Sequence, residues 1–217
     1  MKKYIFLHLD GTIINSMEGI AESVQYSLKH MGIIEKDKNQ LAKFIGPPPR
    51  YSFAKFWGIK EDDLDRVMKK YREYYKEIGI YKNELYPGME KMLKSLYNKD
   101  FKLIVATSKP EVFAKKILKN LNIDQYFMDI CGSSLDGSRS EKKDVITYAL
   151  NKNHIKDVSE VIMVGDRHYD VEGAKVNSIE AVGVLYGFGS KDELEKAGAN
   201  YIVATVEDLE KLILQNT

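Results

Sequence analysis

The chain has 217 residues, 44% of them hydrophobic, which is enough to bury a sizeable core in one domain with an insertion or in two small domains. Lys and Arg residues (33) nearly balance Asp and Glu residues (32), and the formal charge of +1 gives no overall field that would attract nucleic acid or an anionic membrane. No segment reaches the roughly 18 to 20 apolar residues that span a bilayer, and the single Cys131 cannot form an internal disulfide, so we expect a soluble protein in a reducing compartment such as the cytoplasm.

The first predicted element is a short strand. The stretch "MKKYIFLHLDGT" has the basic start of a signal peptide, but its apolar run is short, contains His8 and Asp10, and lacks a small-residue cleavage site. We therefore interpret "YIFLHL" as the first strand of the fold.

Residues 16–79 are predicted to be a helical insertion. Apolar residues recur there at helical spacing in two stripes, with no strand pattern between them. We expect both stripes to form a hydrophobic core rather than to contact a cofactor. The segment "GIYKNELYPG", residues 79–88, is the predicted return hinge, so we assign residues 16–85 to a small helical domain and residues 1–15 with 86–217 to the other domain.

The rest of the chain alternates between apolar runs and helical patterns, which is typical of a parallel sheet with crossover helices. Pro110 is predicted to start one of these helices, Ser190 with Glu193 has the pattern of a helix cap, and Gly198 is expected to end a short helix. The predicted fold class is α/β, a doubly wound, mostly parallel, Rossmann-like sheet with an inserted helical domain. The apolar runs after the insertion are "FKLIVAT", "EVIMVGD", "EAVGVL" and "YIVAT".

Reactive side chains follow four of the predicted strands or loops. In an open parallel sheet, ligands bind beyond the carboxyl ends of the strands. Together these segments supply hydroxyl groups, lysine and carboxylates, as a Mg²⁺-dependent phosphoryl-transfer site requires. The four segments are "HLDGT" at 8–12, "ATSKP" at 106–110, "SRSEKKD" at 138–144 and "VGDRHYD" at 164–170.

Each segment alone also has an ordinary structural explanation. Asp10 before Gly11 is typical of a turn, Thr107 and Ser108 have the residue types of a helix cap, and Lys142 is one of many lysines that solvent can cover. Asp166 and Asp170 fit an acid pair at a helix start. The occurrence of all four segments in one chain favours the catalytic interpretation.

In this arrangement the sequence resembles the haloacid dehalogenase-like hydrolases, most closely the branch of phosphoglycolate phosphatases and 5'-nucleotidases with a small helical cap. The family's first motif, DxDGT, is matched by "HLDGT", and its second, an apolar strand ending in Ser or Thr, by "LIVAT". Lys142 matches the third motif, and Gly165, Asp166 and Asp170 match the fourth, GDxxxD. The resemblance covers essentially the whole chain.

The resemblance implies a catalytic role for each matching position. A carboxylate nucleophile is expected where His8 stands, Asp10 would be the general acid and base, and Thr107 would hydrogen-bond the phosphoryl group. Lys142 would neutralise that group and orient the nucleophile. Gly11 and Ser108, adjacent to these groups, are predicted to contact the substrate.

The cofactor implied by the resemblance is Mg²⁺. The ion would be held by the side chain at position 8, the backbone carbonyl of Asp10 and the carboxylate of Asp166. Asp170 would either bind the ion directly or support its ligands without contacting it.

His8 departs from the family pattern, because imidazole is a poor ligand for a hard cation and the loss of an anion weakens its attraction. We expect lower metal affinity and, without the nucleophile, activity reduced by orders of magnitude, as in the roughly 10⁶-fold losses of other hydrolases. The open explanations, in order of preference, are a change of one codon, a natural protein that binds a phosphorylated ligand without cleaving it, and altered chemistry such as phosphohistidine formation.

The helical cap is expected to exclude water from the site and to select the substrate. "GPPPRYSF" at 46–53 lies in the insertion, and Arg50 is a candidate to pair with a substrate phosphate or carboxylate. A solvated arginine in a proline-stiffened turn is the alternative. The predicted ligand is a nucleoside monophosphate or a small phosphorylated metabolite, with neither a nucleic acid nor a membrane as partner.

Overall fold

The computed structural model describes residues 2–136 and 138–215. The chain divides into two compact units, one formed by Met1–Asn15 and Leu85–Thr217 and the other by Ser16–Glu84. None of the helices within the described ranges is long and apolar enough to cross a membrane.

The first unit contains a six-stranded sheet in which every neighbouring pair of strands is parallel. The strand order is β5-β4-β1-β6-β7-β8, and the two short strands β2 and β3 form a separate ladder. This sheet confirms the predicted α/β class. The strands are β1 Tyr4–Leu7, β2 Ile14–Asn15, β3 Glu84–Leu85, β4 Lys102–Pro110, β5 Phe127–Ser133, β6 Val161–Gly165, β7 Glu180–Val184 and β8 Tyr201–Val203.

Helices connect these strands and cover the sheet. Their apolar sides pack on buried strand residues, so the core includes Phe6, Ile104 and Met163 of three adjacent strands together with Val145 and Val171 of the flanking helices. The helices of this unit are α5 Met89–Asn98, α6 Glu111–Asn120, α7 Lys142–Lys152, α8 His168–Val176, α9 Lys191–Ala197 and α10 Val206–Gln215.

Several local signals read from the sequence are present in the structure. The Ser190 hydroxyl accepts a hydrogen bond from the backbone N–H of Glu193 at the start of α9, and Gly198 ends that helix with a φ of 89°. Pro110 immediately precedes α6. Cys131 is fully buried, as expected of a small core residue.

The register of the sheet determines which residues share its carboxyl edge. Leu7 of β1 pairs with Val105 of β4 on one side and with Val164 of β6 on the other. Because the strands are parallel, the residues that follow each of these positions leave the sheet at the same level. The chain after β1 therefore emerges between the ends of β4 and β6.

The second unit, Ser16–Glu84, is helical. Apolar residues of its first helix and of its longest helix form its core, including Val24, Leu28 and Val67. The Phe44, Phe53 and Tyr71 rings contact one another beside them. Most residues of both predicted apolar stripes therefore lie in the core, but Ile78, the last residue of the second stripe, is exposed. The helices are α1 Met17–Lys29, α2 Lys38–Ala42, α3 Pro49–Trp57 and α4 Glu61–Glu77.

Candidate active site

His8 lies directly after β1, at the centre of the carboxyl edge of the sheet. Its backbone N–H donates to the carbonyl of Val164, and its side chain is 6% exposed. Burial lowers the pKa of His8 to about 4, because an imidazolium ion would lose its hydration there. The imidazole is therefore neutral at pH 7.

Lys142, at the start of α7, connects position 8 to the end of β6. Its Nζ lies 2.8 Å from Nδ1 of His8, 2.7 Å from Oδ1 of Asp170 and 3.1 Å from the carbonyl oxygen of Ala106. An ammonium group has three protons and no acceptor, so Lys142 can donate to His8 and to Ala106, while its charge pairs with the Asp170 carboxylate. The buried lysine is thus fully paired, and one of its partners is the residue at the predicted nucleophile position.

Asp166 follows β6 and is completely buried. Its Oδ1 accepts from the Thr12 hydroxyl at 3.3 Å, and its Oδ2 accepts from the backbone N–H of Phe188 at 2.9 Å. A side chain at Gly11, whose φ is +86°, would collide with this carboxylate, and one at Gly187 would collide with both Asp166 and the Gly11 carbonyl. Two glycines therefore allow the backbone to close tightly around Asp166.

The two acids that follow β6, Asp166 and Asp170, differ in how far neighbouring positive charges compensate their own negative charge. Burial, followed by the negative charge of Asp170, raises the pKa of Asp166 to about 7. Burial also pushes the pKa of Asp170 upward, but His8 and Lys142 outweigh that effect and hold it below its usual range. Asp166 is consequently the carboxylate with the least compensated charge, and a cation beside it would stabilise its ionised form.

Ligand atoms of His8, Asp166 and Asp170 all lie within 4.8 Å of one another. Three buried donors at this spacing can surround one metal ion. Two of them are carboxylates, which suit Mg²⁺, whereas imidazole suits transition metals better.

The Asp10 carboxylate is not a member of this group. Its Oδ1 lies 2.5 Å from Nζ of Lys109, and both side chains are almost fully buried. The predicted contact of Asp10 with a metal uses its backbone carbonyl, which is compatible with this ion pair. Lys109 is a residue to which the sequence analysis assigned no role, although it lies in the "ATSKP" segment.

Thr107 and Ser108 lie near the end of β4, where the ladder to β5 is irregular between Thr107 and Pro110. Thr107 is completely buried, and its hydroxyl accepts from the backbone N–H of Lys109 at 3.2 Å. The irregularity turns this segment out of the sheet, which allows Lys109 to reach Asp10.

Two tyrosines form a further part of the surroundings of Asp166. The rings of Tyr86 and Tyr186 meet edge to face with centroids 4.9 Å apart. Burial, with a smaller contribution from the charge of Asp166, raises the pKa of both hydroxyls. The Tyr186 hydroxyl is buried without a hydrogen-bond partner among residues 2–136 and 138–215, so it is an orphaned polar group near the acids.

Arg50 has partners within its own helical unit. Its guanidinium pairs with Glu61 and Asp65, each at 2.5 Å, at exposed positions of α4. Its predicted contact with a substrate phosphate or carboxylate stays a prediction. Glu61 and Asp65 would compete with such a substrate for the Arg50 guanidinium.

The structure thus brings together His8, Thr107, Lys142, Asp166 and Asp170 at one edge of the sheet, with Asp10 beside them. The contributions of Lys109, Thr12, Tyr186 and the backbone N–H of Phe188 were not predicted from the sequence. Thr12 lies in the first motif, but the donor at position 188 is a main-chain group, which no residue type identifies.

Comparison with known proteins identifies the family. A sequence profile described as haloacid dehalogenase-like hydrolase matches residues 5–184. Curated relatives include a 5'-nucleotidase of Pseudomonas aeruginosa, 37% identical over 96% of this chain and 94% of its own length, and a phosphoglycolate phosphatase of Aquifex aeolicus, 30% identical over 97% and 96%. A third relative is the tyrosine-protein kinase PtkA of Mycobacterium tuberculosis, 34% identical over 96% of this chain and 72% of its own length.

A solved structure shares both the fold and much of the sequence. The crystal structure of a predicted phosphatase from Clostridium acetobutylicum superposes with a TM-score of 0.94 at 46% identity, covering 99% of each chain. The resemblance inferred from the four motifs is therefore confirmed. The chain belongs to the haloacid dehalogenase-like hydrolase family.

Proposed function

We propose that this chain is a Mg²⁺-dependent phosphomonoester hydrolase by architecture, in which His8 at the nucleophile position reduces turnover by orders of magnitude. The observation that carries this proposal is the contact of Lys142 with both His8 and Asp170, because it joins the first, third and fourth motifs in one buried cluster. The names of the relatives, 5'-nucleotidase and phosphoglycolate phosphatase, support a nucleoside monophosphate or small phosphorylated metabolite as the substrate.

The remaining residues of the site support phosphoryl binding. Lys142 supplies positive charge at the end of β4 and β6, and the Thr107 hydroxyl supplies a donor beside it. Asp10 is the proposed acid and base for the leaving group, and its ion pair with Lys109 holds the carboxylate in place. Gly11 and Ser108 are proposed to contact the substrate through the adjoining turns.

The residues present fit a divalent cation, although less well than an all-oxygen site would. The raised pKa of Asp166 and the orphaned hydroxyl of Tyr186 are both features that a hydrated cation would relieve. Asp166, Asp170 and the carbonyl of Asp10 would hold Mg²⁺. When bound, the ion would neutralise the phosphoryl oxygens.

His8 is poorly suited to replace the missing nucleophile. Its Nδ1 lone pair is directed to Lys142, so in the neutral ring the proton resides on Nε2. Neither nitrogen then offers a free lone pair for attack on phosphorus, which counts against a phosphohistidine route.

A second candidate is a protein that binds phosphorylated ligands without cleaving them. The contacts of the charged side chains favour this alternative. No carboxylate stands at position 8, yet the other charged groups of the site are still paired, namely Lys142 with Asp170, Asp10 with Lys109 and Asp166 with the backbone N–H of Phe188. The two functions differ in whether an oxygen nucleophile at position 8 is sufficient to start turnover.

The decisive experiment compares Mg²⁺-dependent phosphate release by the parent chain and by His8→Asp on a panel of nucleoside monophosphates and small phosphoesters. We expect His8→Asp to release phosphate on the order of 10⁴-fold faster or more. His154→Asp makes the same chemical change at an exposed position and is the matched control. Equal activity of the parent and His8→Asp would show that position 8 does not carry the nucleophile.

A further inference from the structure

The contacts of Lys142 determine the tautomer of His8. Lysine can donate three protons and accept none, and its ammonium group lies within hydrogen-bond distance of His8 Nδ1, Ala106 O and Asp170 Oδ1. Nδ1 must therefore accept. The proton of a neutral ring then lies on Nε2, and Nε2 would also carry a proton if the ring were charged.

Nε2–H of His8 has no hydrogen-bond partner among the described residues, although the side chain is 94% buried, as its 6% exposure shows. Nε2–H is thus a donor that water or a bound ligand can satisfy. A carboxylate at this position would present only acceptors. The substitution thus changes position 8 from an acceptor to a donor.

The substitution also changes the charge of the cavity. Two ammonium groups, of Lys109 and Lys142, face the three carboxylates of Asp10, Asp166 and Asp170. An aspartate at position 8 would add a fourth carboxylate, which would repel a phosphate dianion unless a divalent cation lay between them. A histidine at position 8 does not add that fourth carboxylate, so it avoids the additional repulsion.

We propose that Nε2–H of His8 donates a hydrogen bond to an oxygen of a bound phosphate, and that the chain retains orthophosphate or a phosphomonoester without needing a divalent cation. The inference rests on the proposed function, because it takes the phosphoryl group to bind beside position 8. It adds that the substitution converts a hydrolytic position into a binding position, so that loss of turnover is accompanied by tighter binding of the phosphoryl ligand.

The test is calorimetric titration of the folded proteins with orthophosphate, first in EDTA and then in excess Mg²⁺. Three variants are compared with the parent chain: His8→Asp restores the carboxylate, His8→Phe removes the donor without adding charge, and His8→Asn keeps both a donor and an acceptor. In EDTA we expect binding about tenfold or more weaker for His8→Asp, about fivefold weaker for His8→Phe and within about threefold for His8→Asn. Mg²⁺ should restore binding mainly in His8→Asp.

A second measurement reports the tautomer directly. Long-range ¹⁵N–¹H correlation spectra distinguish the protonated from the unprotonated ring nitrogen, and the chain has only four histidines to assign. We expect the proton on Nε2 and a change of the Nε2 signal on addition of orthophosphate. A proton on Nδ1, or a signal that orthophosphate leaves unchanged, would overturn the proposal even if His8→Phe did not fold.

The outcomes separate this inference from the proposed function. If the parent binds orthophosphate in EDTA no better than His8→Asp, the inference is wrong, and phosphate release by His8→Asp would still support the proposed function. If the parent binds and His8→Asp neither binds nor hydrolyses, the inference stands while the assignment as a disabled hydrolase fails.

Discussion

The ends of β1 and β6 are adjacent in the sheet, but they hold their functional groups in different ways. After β6, both carboxylates are fixed by several donors from the chain, including the backbone N–H groups of Phe188 and Arg167. After β1, the imidazole of His8 has one side-chain hydrogen-bond partner within the described part of the chain, Lys142. The carboxylates at the β6 end are therefore held partly by backbone donors, whereas the imidazole at position 8 is held by the Lys142 side chain.

From this difference we expect His8→Asp to leave the surroundings of position 8 in place. Lys142 donates equally well to a carboxylate oxygen or to an imidazole nitrogen, so its contacts with Asp170 and Ala106 are kept. By contrast, Gly11 and Gly187 leave no room for a side chain beside Asp166. The backbone beside Asp166 is therefore sterically constrained.

The largest expected effect on stability comes from removing the lysine that joins the two ends. Lys142→Met would leave Asp170 buried without its counter-ion, and a buried charge that loses its partner costs about 3 to 5 kcal/mol. We expect this decrease in the free energy of unfolding, measured by urea denaturation at pH 7.

Lys143→Met is the matched control for that prediction. Lys143 is the next residue along the chain, its side chain is 49% exposed, and it pairs only with exposed Glu141 among the described residues. Such surface pairs contribute about 0 to 1 kcal/mol. Equal losses in the two variants would show that Lys142 does not stabilise the buried cluster through its charge.

The two strand ends should also respond to pH in opposite directions. The pKa of His8 is lowered to about 4 in the folded chain, so its contribution makes the protein more stable as the pH rises from about 4 to 6.5. The pKa of Asp166 is raised to about 7, so the folded state binds more protons and stability falls as the pH rises from about 4 to 7. In the parent chain the two slopes largely cancel.

Single variants should separate the two slopes. Asp166→Asn removes the falling contribution, and stability should then rise on the order of 3 kcal/mol between pH 4 and 6.5. His8→Asn should produce a fall of similar size. Urea denaturation across this pH range measures both, and Asp144→Asn, at an exposed position of α7, serves as the control. Parallel pH profiles for the two site variants would contradict the assignment of opposite shifts.

Sequence patterns predicted most of the fold and the residue types of the site. Three motifs at strand ends and one at a helix start were sufficient to locate the site, because parallel strands bring their carboxyl ends to one edge of the sheet. β5 was missed, since Asp129 and Gly132 interrupt its apolar run. The tautomer of His8 and the ion pair of Asp10 with Lys109 could not be predicted from the sequence either, because both depend on contacts between atoms of residues far apart in the chain.

The smallest expected effect concerns Arg50. Because its guanidinium is already paired with Glu61 and Asp65 at largely exposed positions, Arg50→Gln should lower the free energy of unfolding by less than about 1 kcal/mol. In a His8→Asp background we expect a change of KM of less than about twofold. Arg66→Gln, another exposed arginine of the helical unit, is the control for both measurements. A KM raised about tenfold by Arg50→Gln alone would mean that Arg50 leaves its two carboxylates to bind the substrate, and would reinstate its predicted role in specificity.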